Sequence, residues 1–291
     1  MNELYPFAGR YFERNGLRLH YLDEGAGEPV VMLHGNPTWS FYYRNMVLGL
    51  RDRYRCVVPD HIGCGRSDKP AAERYDYSLS SRVDDLEALL DHLQIHGPAT
   101  LVLHDWGGII GMTYAARHPG RVKRLVILNT AAFHLPAGKR LHWALRLGRN
   151  TAFGAWLIRR LNLFCRTVAR IGVRRQKLSP AVRAAYLAPY DTWANRIAVL
   201  RFVQDIPVAP GDAEYELVGK VERSLAQFRS TPALMCWGLK DLVFDADFLA
   251  LWQRYLPQSE VHRFEDAGHY VLEDAGEQIV PRVRSFLEAH P

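Results

Sequence analysis

A chain of 291 residues, 48% hydrophobic and 23% charged, has the balance of a folded globule with room for a sizeable core, and this excludes a disordered or fibrous class. Thirty-seven Lys and Arg against thirty-one Asp and Glu give a formal charge of +6, which would suit nucleic acid or an anionic membrane. The cations are rich in arginine and spread over predicted helix faces, so they are read as solvated surface, with no nucleic-acid partner.

The first half alternates strand-like and helix-like patterns, as in a parallel sheet with covering helices. Residues 17–23 alternate and 29–33 form a short apolar run before a Gly/Pro turn, so both are expected to be strands. Helical spacing follows over 38–50, a strand over 54–58, and a helix over 80–93 after a Ser-rich start. A strand over 99–103, a helix over 107–117 and a strand over 122–128 continue the rhythm. Little strand pattern occurs between 132 and 228, where helical segments rich in Arg, Leu, Trp and Tyr dominate. Strands return at 232–237 and 261–264, with helices over 244–255 and 276–290. The expected architecture is α/β: a mostly parallel twisted sheet with covering helices in a core made of 1–131 and 229–291, with a helical cap inserted at 132–228.

No basic and apolar leader is visible at the start, and no stretch offers the ~20 apolar residues that cross a bilayer. A cytoplasmic location is therefore expected. Cys56, Cys64, Cys165 and Cys236 lack CxxC spacing, so neither a disulfide nor a metal is expected, and no motif asks for a cofactor.

The chemistry gathers at four stations. The segment Leu101-Val-Leu-His-Asp105-Trp106-Gly107-Gly108 sets an aspartate between an apolar strand and a Gly-started helix, the context of a nucleophile elbow. Small residues suit that sharp turn, although Leu103 stands where one would be usual. Taken alone, Asp105 would serve equally well as a helix N-cap. Asp241, just past a late strand, and His269, past the last one, complete the order nucleophile, acid, histidine. Asp245, Asp247 and Asp266 are rival carboxylates, and Asp241 ranks first because it lies nearest its strand end. The fourth station, Leu33-His-Gly-Asn36-Pro-Thr-Trp39-Ser, is a strand-to-helix turn. There the Asn36 amide and the Trp106 indole N–H are donors able to converge on a departing anion.

With HGNPTWS and HDWGG together, the chain resembles the haloalkane-dehalogenase-type α/β hydrolases over nearly its whole length, which implies the α/β-hydrolase fold. In that family the aspartate attacks carbon, the Asn/Trp pair holds the leaving group and the histidine activates water. The resemblance places these roles on Asp105, on Asn36 with Trp106, and on His269. One group of the family has its acid after the sixth strand, where this chain has Asn129, so Asp241 is the expected acid. An Asn36 donor with a late acid resembles the third subgroup, which includes β-lactone decarboxylases of bacterial long-chain olefin formation. Residues 58–63, 128–133, 188–196 and 264–274 strengthen that likeness.

The resemblance thus implies decarboxylation of a cis-β-lactone to a cis-alkene and CO2 through a covalent Asp105 intermediate. Attack at the lactone carbonyl to give a mixed anhydride is an open alternative. Haloalkane hydrolysis is the competing activity; epoxide hydrolysis, for which Tyr186 and Tyr190 would be the polarising pair, and a non-catalytic binding subunit rank below it. A hydrophobic small-molecule substrate follows, together with possible partners in a β-lactone synthetase and a dehydrogenase and a possible homo-oligomer. Most apolar cap residues, among them Trp143, Phe153, Trp156 and Phe202, are read as helix-packing core, and some as a lining for alkyl chains.

Overall fold

A computed structural model describes residues 3–291. Eight strands form one sheet: β1 (Arg10–Arg14), β2 (Leu17–Glu24), β3 (Glu28–Leu33), β4 (Tyr54–Pro59), β5 (Ala99–Asp105), β6 (Val122–Thr130), β7 (Ala233–Gly238) and β8 (Glu260–Phe264). Their spatial order is β1-β2-β4-β3-β5-β6-β7-β8. The first two join antiparallel and the rest run parallel.

Sequence reasoning missed β1, although its signal is local. Arg14 pairs with Leu17 across a two-residue loop, and both loop residues, Asn15 and Gly16, have positive φ (51° and 70°). This is the Asn-Gly hairpin turn, whose twist matches that of the flanking strands.

The helices are α1 (Arg44–Leu50), α2 (Leu79–His92), α3 (Trp106–Arg117), α4 (Trp143–Asn150), α5 (Ala152–Leu161), α6 (Leu163–Ile171), α7 (Pro180–Leu187), α8 (Ile197–Gln204), α9 (Tyr215–Ser224), α10 (Ala246–Tyr255) and α11 (Val271–Ala289). Ser78 starts α2 by accepting the Ser81 N–H at 3.1 Å, a Ser N-cap. The last helix begins earlier than its spacing predicts, with non-helical backbone at Ala275 inside it.

Central strands bury both faces, which is why they read as continuous apolar runs. Val31, Leu33, Leu101 and Leu103 pack on the layer of α2, α3, α9 and α10. Val30, Met32 and Val102 pack with α1 and α11 on the other side. Helices α4 to α9 lie between β6 and β7. Of these, α9 sends Val218 and Val221 into the first of these layers, whereas α8 serves two clusters, Ile197 and Phe202 below and Val199 and Val203 within the cap. Ile158, Cys165 and Leu200 also pack inside the cap. Trp143, Phe153 and Trp156, expected in the core, are instead exposed by 71%, 61% and 45%. Their helices are short and have few layers to pack against, so one side stays in solvent.

Candidate active site

The sheet delivers its chemistry at the carboxyl ends of its parallel strands. Asp105 ends β5 with φ 51° and ψ −124°, backbone that a residue with a Cβ adopts only when its surroundings hold it there. Three close approaches do so. A Cβ on Gly107 would collide with the Leu33 carbonyl, one on Gly108 with Thr130 Oγ1, and one on Gly35 with the Asp105 carboxyl itself. Thr130 Oγ1 also donates to the Asp105 carbonyl. Leu103, oversized for an elbow, is accommodated further along: its side chain lies against Gly111 on α3, where a Cβ would clash with it.

Asp105 Oδ1 accepts the backbone N–H of Asn36 at 2.6 Å, and the Trp106 N–H also favours the carboxylate. The second oxygen, Oδ2, lies 3.6 Å from His269 Nε2. On the other side of that ring, Nδ1 is 2.8 Å from Asp241 Oδ2. Burial, the largest influence, pushes the Asp105 carboxyl above its ordinary value, against the pull of His269 and the two backbone donors. Burial alone would lower the His269 imidazole, but the charge and hydrogen bond of Asp241, with Asp105 adding to them, reverse the direction and raise it.

Asp241 is held in turn. Its Oδ1 accepts the Val243 N–H at 2.8 Å and its Oδ2 the Asn129 amide at 3.0 Å. Sequence reasoning noted Asn129 only as a residue unable to be the acid. The structure shows it wedged between β6 and β7, its Oδ1 accepting from Gly238 N–H and its Nδ2 also donating to the Gly238 and Phe244 carbonyls. A polar residue at the end of an apolar strand was the available signal; the structure gives it a φ of 31°, a backbone that Asn tolerates. The rival carboxylates lie elsewhere: Asp245 caps α10 and pairs with Lys139, as does Asp247, while Asp266 pairs with Arg175.

Asn36 and Trp106 share a cavity with Asp105 and His269. One N–H of the Asn36 side-chain amide donates to the Val199 carbonyl of α8 at 3.1 Å, which orients the amide and leaves its other N–H free. The cavity, about 190 Å³, is otherwise mostly apolar, walled by Phe133, Leu141, Leu145, Phe164, Val168 and Phe244. Tyr186 and Tyr190 are not in this wall. Tyr186 donates to Glu273 and Tyr190 to the Thr38 carbonyl, so burial among cap and core elements occupies both hydroxyls.

A family model described as alpha/beta hydrolase fold matches residues 28–276. A cis-3-alkyl-4-alkyloxetan-2-one decarboxylase of Shewanella oneidensis is 55% identical, over 99% of this chain and 90% of that one. A protein of the same description from Xanthomonas campestris pv. campestris is 53% identical, over 96% of this chain and 95% of its own length. Haloalkane dehalogenase 2 of Mycobacterium tuberculosis (strain H37Rv) is 32% identical over 97% of this chain and 95% of its own length. The chain belongs to the haloalkane-dehalogenase-type family of α/β hydrolases. Its architecture agrees with that membership: the crystal structure of a putative ancestral haloalkane dehalogenase superposes with a TM-score of 0.87 at 28% identity, covering 96% of this chain and 98% of that one. In this chain the long helical insertion between β6 and β7 brings Leu141, Leu145, Phe164 and Val168 to the cavity that holds Asp105 and His269.

Proposed function

We propose that this enzyme decarboxylates long-chain cis-3-alkyl-4-alkyl-β-lactones to cis-alkenes and CO2. The observation that carries the reading is the cavity: the Asp105 carboxylate, only 11% exposed, borders a mostly apolar space that Asn36 and Trp106 also line. It is supported by identities of 53% and 55% to decarboxylases of this class, against 32% for the dehalogenase.

Asp105 Oδ2 is the free nucleophilic oxygen, because Oδ1 is held by Asn36 N–H. It attacks the ring carbon bearing the ring oxygen, with inversion. The carbon–oxygen bond breaks, strain is released, and the electron pair leaves as a carboxylate bound by Asn36 Nδ2 and Trp106 Nε1. The bond from carbon to this carboxylate then supplies the electrons of the new double bond. CO2 departs, Asp105 is expelled from the neighbouring carbon, and anti geometry after one inversion gives the cis-alkene. No water or proton enters, and Asp105 returns as a carboxylate.

His269 and Asp241 carry the second reading, haloalkane hydrolysis. Their pairing is built to activate water, and the Asn36 and Trp106 backbone donors suit the oxyanion formed when water attacks an Asp105 ester. Assembly with enzymes that make the lactone is a further part of the proposal.

Purified protein offered a cis-β-lactone should release alkene and CO2 in equal amounts. Asp105→Ala should lower turnover at least ~1,000-fold, since it removes the nucleophile. Halide release from haloalkanes without alkene or CO2 from the lactone would replace the first reading by the second. With His269→Ala, alkene release should persist, whereas haloalkane turnover should stop after one burst of halide.

A further inference from the structure

Between residues 131 and 190 the sequence holds twelve Lys and Arg and no Asp or Glu. Outside this segment anions outnumber cations, so the positive charge of the molecule is concentrated in α4 to α7 and their links. Arg140, Arg146, Arg160, Arg166 and Arg170 are exposed and have no carboxylate partner among the described residues. Large apolar side chains are exposed on the same helices: Trp143 on α4, Phe153 and Trp156 on α5, with these last two rings stacked at 6.2 Å. Leu161 and Leu163, 45% exposed each, flank the α5–α6 junction. Isolated exposed apolar residues need no explanation, but exposed aromatic residues on α4 and α5 beside unpaired arginines on α4, α5 and α6 do.

Helices α4 and α6 also wall the active-site cavity, through Leu145, Phe164 and Val168. Leu135 and Leu141 border both that cavity and a surface recess where Arg140 and Arg146 lie. The charged and aromatic surface therefore adjoins the wall of the cavity. The cavity itself is only a little larger than the roughly 150 Å³ void that holds one benzene. A lactone ring and the first few carbons fill it, and longer chains must run outward beneath these helices.

We propose that the α4–α6 surface docks on an anionic lipid bilayer, placing the cavity entrance at the interface from which alkyl-chain substrate is drawn. Trp and Phe settle at the headgroup level while arginines engage lipid phosphate with their stems along apolar surface. Among the described residues no helix is long and apolar enough to span a membrane, so the contact is peripheral. The long-chain lactone reading supplies the purpose of docking, but docking itself does not depend on it.

The test is co-sedimentation of the full chain with phosphatidylcholine vesicles, with and without one-third phosphatidylglycerol. Binding is expected on the anionic vesicles and should weaken with salt. Each of Arg146→Gln, Arg160→Gln and Arg166→Gln should lower vesicle affinity about fivefold. Combined Trp143→Ala, Phe153→Ala and Trp156→Ala should lower it at least tenfold, while turnover of a short, water-soluble β-lactone stays at the parent rate. Trp143→Ala alone, at the most exposed position, guards against misfolding of the triple variant. Absence of binding to anionic vesicles overturns the proposal. So does a triple aromatic variant that binds like the parent while the arginine variants do not, which would mark a surface for an acidic protein or nucleic acid. Turnover of the short lactone tests the chemistry separately, so loss of one reading leaves the other standing.

Discussion

Asn129 shows how much of the candidate site is held in place from outside the cavity wall. Its amide fixes the Asp241 carboxylate, two backbone carbonyls and the Gly238 N–H at once. Asn129→Ala leaves these buried groups unpaired, which costs about 1–3 kcal/mol per group before relaxation. It also loosens the carboxylate that raises His269, so the histidine should titrate closer to its ordinary value; NMR of the ring protons against pH would show this. The same histidine gives a pH signature that separates the two activities. Because Asp241 raises it, neutral imidazole becomes dominant only above its ordinary value near ~6.5, and hydrolysis of an Asp105 ester should rise with pH through that region. On the proposed mechanism, alkene release needs only ionised Asp105. That carboxyl is itself raised, so alkene release should fall on acidification sooner than an ordinary carboxylate near ~4 would dictate. Coincident pH–rate profiles for lactone and haloalkane would refute this division.

At the scale of elements, what was legible followed from period and punctuation. Buried parallel strands read as apolar runs, α2 announced itself with a Ser-rich start, and the four stations at strand ends were visible because polar residues interrupt apolar patterns. The turn at Asn15-Gly16 was equally legible and was overlooked because β1 itself is a half-exposed edge strand with charges at both ends. What sequence could not give was which apolar residues of the cap are covered. Trp143 and Ile158 look alike in a helical pattern, yet one is solvent-exposed and the other buried, since only the packing of neighbouring helices decides. Nor could it show how an oversized Leu103 is tolerated, because Gly111 lies one helix away. Gly111→Ala should therefore cost about 1–3 kcal/mol through overpacking. Adding Leu103→Ala should recover part of that loss in urea unfolding, as coupled neighbours do.

For the whole molecule, stability depends on how cap and core are joined. Tyr186 of α7 and Arg44 of α1 converge on Glu273 of α11 in a buried cluster, with Arg44 to Glu273 distances of 2.5 and 2.9 Å. Glu273→Ala strands a buried guanidinium and should cost about 3–5 kcal/mol. A second junction is pH-sensitive. Asp205, at the end of α8, accepts the Leu79 N–H at the start of α2 at 3.1 Å, and burial, aided by Glu214, pushes its carboxyl up to about 7. A carboxyl raised by folding binds its proton more tightly in the native state, so its contribution is full below the unfolded value near ~4 and is lost as pH rises towards 7. Asp205→Asn should accordingly raise Tm at pH 8 and leave it nearly unchanged below pH ~4, where the carboxyl is protonated in both states. Asp60 acts in the opposite sense: His20 and backbone donors hold it well below the usual range despite burial, and its contribution disappears only in strong acid.

The hydrogen bond from Asn36 to the Val199 carbonyl crosses from the sheet's loop to the roof. A transplanted lid from a relative would change not only which molecules enter but also the aim of the Asn36 amide, the group proposed to receive the departing charge. Selectivity and reactivity are thus inherited together in this scaffold, and directed evolution of one will move the other unless residue 199 keeps its backbone position.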